Sequence, residues 1–119
     1  MKLGPALALL VFAGAALAQD ATKVEPNHYR VAFENEHVRV VDIHYGPHEK
    51  SSMHEHPSGV VVYITEGHFR FTDENGKIVE ANAKAGEARW FHGFKHKVEN
   101  LSGKPFDGVY IEVKSSAGQ

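Results

Sequence analysis

Residues 46–67, GPHEKSSMHEHPSGVVVYITEG, decide how the rest of this chain is read. His54 and His56 stand two apart, and on a strand residues i and i+2 point to the same side of the sheet. The run 60–64 is continuously apolar, as expected of a short strand buried on both faces. Gly46-Pro47 before it and Glu66-Gly67 after it are turn signals. Forty residues beyond His56 lies His96, a third imidazole that a distant strand could bring to the same point. Neutral imidazole suits zinc, copper, iron and nickel, so the trio proposes a transition-metal site without naming the metal.

Outward from this stretch the pattern is strands and turns, with no helix-length amphipathic segment. An apolar alternation at 29–33 precedes a turn at 34–36. Over 37–45 the apolar positions shift phase, from Val38 and Val40 to Val41, Ile43 and Tyr45, which predicts a bulge or a change of buried face. After Gly67 comes an alternating strand with Phe69 and Phe71 inward. Asn75-Gly76 is a strong hairpin signal, with the return strand starting at Ile78-Val79. Ala85-Gly86 makes another turn. Arg89-Trp90-Phe91 and residues 97–101 are short strands. The last strand, 106–113, carries Val109, Ile111 and Val113 on one face. About eight short strands with frequent turns predict an all-β sandwich or barrel.

Composition sets further bounds. Of the 119 residues, the first 18 read as a leader: Met1-Lys2 is a short basic start, 3–17 is nearly all apolar, and Ala16-Leu17-Ala18 is a small-x-small cleavage pattern. The expectation is a cleaved signal peptide (1–18), a flexible lead-in (19–28) and one domain (29–114), in a periplasmic or secreted protein. The apolar run is shorter than the roughly 20 residues of a membrane span. A formal charge of −2 gives no electrostatic case for nucleic acid. With no cysteine there are no disulfides, thiolate ligands or Cys nucleophile, while nine histidines fit metal chemistry.

The chain resembles the cupins, small double-sheet jelly rolls. Gly46, His54, His56 and Gly67 match the first cupin motif, except that its glutamate is absent and Val60 occupies the slot. Gly86, Gly93, His96 and Asn100 match the second, with Phe91 replacing a proline. The resemblance implies a cupin-type double-stranded β-helix, a jelly-roll barrel, with His54, His56 and His96 as ligands of a divalent transition metal: iron, copper, zinc, manganese or nickel. A three-histidine iron site is similar to those of thiol dioxygenases and diketone-cleaving dioxygenases of the same fold. Loss of the carboxylate leaves such a site at net charge +2, which favours anionic or chelating substrates. A homodimer is expected by analogy.

Other side chains are weighed against plainer roles. His92, four residues before His96 in the turn beside the expected metal mouth, is a candidate fourth ligand, proton shuttle or catalytic contact. His44 and His48 flank the Gly46-Pro47 turn, and His44 would point inward if the bulge fell nearby. His28, His37 and His68 read as surface residues. The pleat sends Glu55 away from the metal, and Glu99 reads as surface. Two functions follow: a metal-dependent oxidoreductase of dioxygenase type acting on a small molecule, or a non-catalytic periplasmic cupin that binds a metal or small ligand.

Overall fold

The computed structural model describes residues 17–114. Among these residues nine strands follow one short helix: α1 (Ala21–Val24), β1 (Tyr29–Glu34), β2 (Val38–Tyr45), β3 (His54–His56), β4 (Gly59–Tyr63), β5 (Gly67–Asp73), β6 (Ile78–Ala83), β7 (Ala88–Phe91), β8 (Phe94–Asn100) and β9 (Phe106–Val113). They form a five-stranded sheet, β1-β2-β9-β4-β7, and a four-stranded sheet, β3-β8-β5-β6. Every strand pairing is antiparallel. The sheets pack face to face through Tyr45, Phe69, Phe106, Val98 and Tyr110. The expected barrel is therefore two open sheets: among the described residues no ladder joins their edges. The edge strand β3 is too short to continue a ladder past its three pairs with β8.

Local chemistry explains the turns. Asn35 Oδ1 accepts from the backbone N–H of His37 and Val38, closing the β1–β2 hairpin. At the Asn75-Gly76 turn Gly76 takes φ 85°, a left-handed conformation open to glycine at no steric cost, while Asp73 Oδ1 accepts from Asn75 and Lys77 N–H.

Three sequence expectations change. The phase shift seen in β2 belongs to its neighbour: β2 pairs with β9 in unbroken register, and the irregularity lies in β1 between Val31 and Phe33. β4 is buried on one face only; Val61 and Tyr63 point inward, Val60 and Val62 are half-buried, and Ile64 is 54% exposed. The residues read as a lead-in are packed on the domain. Ala21 is in the core, Gln19 C=O accepts from Glu55 N–H at 2.7 Å, and Asp20 bonds Arg39 at 3.0 Å. Residues 1–16 of the expected leader lie outside the described residues.

Candidate metal centre

Strand alternation and register build the site. His54 and His56 project inward from β3, and β3 pairs with β8 so that His54 lies directly opposite His96. Directly paired side chains sit within about 5.5 Å at Cβ, so all three imidazoles come from one face of one sheet. Their rings lie 4.8 Å (His54–His56), 4.9 Å (His54–His96) and 5.3 Å (His56–His96) apart. One nitrogen from each falls within 4.8 Å of the others.

The hydrogen bonding of the trio fits a cation. His54 Nδ1 sits 2.8 Å from the carbonyl oxygen of Ser52. A carbonyl only accepts, so Nδ1 carries the proton and Nε2 is left with its lone pair free for a metal. Among the described residues, the buried side-chain nitrogens and oxygens without a partner are His54 Nε2, His56 Nδ1 and His96 Nε2. Orphaned buried polar atoms are costly and therefore rare, and here all of them sit on one cluster. Burial pushes the pKa of each imidazole below its ordinary value; neighbouring imidazoles add to this at His56 and His96. The rings are thus held neutral, the form that binds metal.

Aromatic rings fix the imidazoles from outside. Tyr110 stacks on His56 with ring centroids 5.0 Å apart, and its hydroxyl donates to the Pro57 carbonyl at 2.6 Å. Phe71 stacks on His96 at 5.1 Å while Phe94 meets it edge-on at 4.4 Å. Tyr29 lies 4.9 Å from His54 and 5.0 Å from His56, and its hydroxyl is 2.8 Å from that of Tyr45. Beside His56 and His96 is a cavity of about 40 Å³, walled largely by phenylalanine, tyrosine, valine and isoleucine, with no carboxylate, lysine or arginine. The carboxylate slot assigned by counting, Val60, points away from this cavity; Val61 is the residue that faces it. Either way the position is apolar.

The remaining candidates fall elsewhere. His92 is exposed, its ring 6.2 Å from that of Trp90, and outside the histidine cluster. His44 does not point inward: it is exposed and bonds Asp107 at 2.8 Å. His48 is exposed, with φ 60°. Glu99 pairs with Arg70 at 3.2 Å. His28, read as surface, is buried and stacked on Tyr45 at 4.0 Å. Asn100, matched to the second motif, is structural: its fully buried side chain ties Gly46, Ser102 and Lys104 together. Sequence reading missed Tyr29, Tyr110 and Phe94 as neighbours of the site, whereas the inward alternation of Phe69 and Phe71 pointed to both as core or pocket wall.

No family model and no curated protein sequence matches the chain, but solved structures do. It is similar to a cupin domain from Bordetella pertussis Tohama I, with 29% identity and a TM-score of 0.67 over 73% of this chain and 92% of that one. A conserved protein with a double-stranded β-helix domain from Klebsiella pneumoniae is 25% identical, with a TM-score of 0.58 over 76% of this chain and 81% of that one. An RmlC-like cupin from Methanocaldococcus jannaschii, 16% identical over 71% of this chain and 77% of that one, shares the fold at a TM-score of 0.56.

Proposed function

Because the chain belongs to the cupin superfamily, we propose that His54, His56 and His96 hold a divalent transition metal, and that a small molecule is bound and oxidised beside it. The observation that carries this reading is the convergence of three buried, partnerless ring nitrogens on one point. When bound, an iron or copper ion would supply oxidative chemistry at this site, and zinc would polarise a carbonyl or acidify water. The chain's own groups do the rest. Ser52 fixes the His54 tautomer, Tyr110 and Phe71 hold the planes of His56 and His96, and the aromatic wall excludes water.

The wall also speaks to the ligand. A carboxylate entering the cavity would find no cationic side chain to pair with, so its charge would be met by the bound metal ion alone. The apolar wall therefore favours a substrate with one metal-binding group on an otherwise apolar body. A second reading, metal or ligand binding without turnover, is favoured by a cavity wall that offers no carboxylate, lysine or arginine and by the engagement of the tyrosines nearest the histidines. Tyr29 and Tyr45 hydroxyls bond each other, Tyr110 is engaged with Pro57, and His92 is exposed.

We propose as well that the chain is exported and its leader removed. Cleavage after Ala18 would leave Gln19 and Asp20, which make the first contacts to the domain, on the mature chain. Mass spectrometry of protein from the periplasmic fraction should find Gln19 at the N-terminus; an intact Met1 there would refute removal of the leader.

Elemental analysis of protein purified without an affinity tag tests the central reading. About one metal per chain is expected, falling at least tenfold in His54→Ala and His96→Ala. Unchanged metal content in those variants would remove the site. Oxygen uptake by iron- or copper-loaded protein with diketones, thiols and phenols then separates the two readings: uptake supports the enzyme, and metal retention without uptake supports the binding module.

A further inference from the structure

A carboxylate outside the cavity is committed to the same centre. Glu25 closes α1: its N–H bonds the Ala21 carbonyl at 2.8 Å, and its own carbonyl accepts from His28 and Tyr29 N–H at 3.0 Å each. Pro26 ends the helix there, because the residue before a proline is disfavoured in the helical region, and Glu25 takes φ −129° and ψ 62°. The main chain of Glu25 is thus fixed on both sides. Its side chain is only 16% exposed, and its one ion-pair neighbour among the described residues is the His28 ring, 3.8 Å away. A carboxylate so placed needs donors. Among the described residues both hydrogen bonds that its side chain accepts come from Ser52, from the N–H at 2.7 Å and from the hydroxyl.

Ser52 is the residue whose carbonyl accepts the His54 Nδ1 proton. Its neighbour Ser51 is tied to β8: the Ser51 N–H donates to the Val98 carbonyl at 2.8 Å, and Ser51 Oγ accepts from Val98 N–H at 2.9 Å. The segment leading into β3 is therefore held by β8 at Ser51 and by Glu25 at Ser52. Ser52 is exposed and lies outside β3, so no ladder fixes it. Without Glu25, water would take over its N–H and hydroxyl, and its carbonyl would lose a defined direction. We propose that Glu25 is a positioning residue for the metal centre: by gripping Ser52 it aims the carbonyl that keeps the His54 proton on Nδ1 and leaves Nε2 bare. The inference rests on the metal reading above. Loss of the outer partner of a metal-bound histidine costs roughly 10–100-fold in affinity. Glu25 acts one step further out, so the lower end of that range applies.

Cobalt(II) titration of the full chain, followed by visible absorption, tests this together with nitrogen NMR of the His54 ring in metal-free protein. Glu25→Ala should weaken cobalt binding about tenfold and turn the single Nδ1–H form of His54 into a mixture of tautomers. Glu25→Gln keeps an oxygen in place to accept from Ser52, and should retain that form and most of the affinity. Glu25→Asp keeps the charge but falls one methylene short, and should behave like Glu25→Ala; it supplies the measurement should the alanine variant fail to fold. Unchanged cobalt binding or an unchanged tautomer in the alanine and aspartate variants would overturn the proposal. So would an affinity loss as large in Glu25→Gln as in Glu25→Ala, because charge rather than position would then be at work. A wild-type chain that takes up no cobalt would refute the metal reading itself, and this inference with it.

Discussion

The carbonyl oxygen of Ser52 settles which nitrogen His54 offers, and nothing in the His-x-His spacing announced it. Spacing did expose the trio, since residues two apart share a strand face and two motifs lay at the right separation. The neighbours of the trio were hidden, because Tyr29 and Tyr110 reach it through cross-strand register and sheet stacking, which a linear reading cannot supply. Two measurements probe these side chains. Tyr29 and Tyr45 bond through their hydroxyls in full burial. Tyr45→Phe leaves the buried Tyr29 hydroxyl unpaired and should cost about 1–3 kcal/mol by urea unfolding, whereas Tyr29→Phe should cost less, because Ser51 also bonds the Tyr45 hydroxyl. The double variant should cost less than the two singles summed, and strict additivity would count against the pair. The second concerns acid. In the folded chain His54, His56 and His96 have pKa values below 6.5 because burial disfavours their charged form. Once unfolded they return to about 6.5 and bind protons there. The stability of metal-free protein is therefore complete above about pH 6.5 and is lost as pH falls from there towards the folded pKa values. Thermal melts between pH 7.5 and 5 should show this decline, and a flat profile would mean that the rings are not buried neutral.

At the scale of elements, β-branched runs and turn residues made most strands and the β5–β6 hairpin legible, whereas α1 was not. Four residues are too few for a periodic signal, and the segment is held by partners far away in sequence. Arg39 on β2 is the hub: its Nε meets Glu112 Oε1 at 2.7 Å, and its terminal nitrogen meets Glu112 Oε2 at 3.2 Å and Asp20 at 3.0 Å. Burial works against the Arg39 charge, yet the bonds to Glu112 and Asp20 raise its pKa overall; for Glu112, burial outweighs the same bonds and the pKa rises. Glu112 is only 3% exposed, so removing its partner strands a buried carboxylate. Arg39→Ala should cost about 3–5 kcal/mol, whereas the paired change Arg39→Met with Glu112→Leu should recover most of it. It should also speed proteolysis at Lys23 in the last turn of α1, since Asp20 loses its anchor. If the double variant were as unstable as Arg39→Ala alone, the loss would come from packing rather than from the stranded charge.

For the whole molecule, the position of the histidines decides what metal binding does to stability. All three lie on β3 and β8, and β3 is the shortest strand, an edge strand held by three residue pairs on one side and by the Gln19–Glu55 contact on the other. A cation shared by His54, His56 and His96 would bind the folded chain and find no such cluster in the unfolded one, so its binding energy adds to folding energy. At a free metal concentration 100 times the dissociation constant the gain is about 2.7 kcal/mol. For a domain of this size that corresponds to a rise in Tm of roughly 10–20 °C, increasing with metal concentration. Hydrogen exchange should slow most at His54 and His56 and their β8 partners His96 and Phe94, and at Glu55, whose N–H bonds Gln19 C=O on the other side of β3. The β1–β2 hairpin, at the far edge of the other sheet, should exchange at the same local rate with and without metal wherever exchange proceeds by local opening. His96→Ala should abolish both the Tm shift and the slowing. A Tm that rises with metal equally in wild type and in His96→Ala would place the binding on surface histidines and leave the buried trio as a packing cluster.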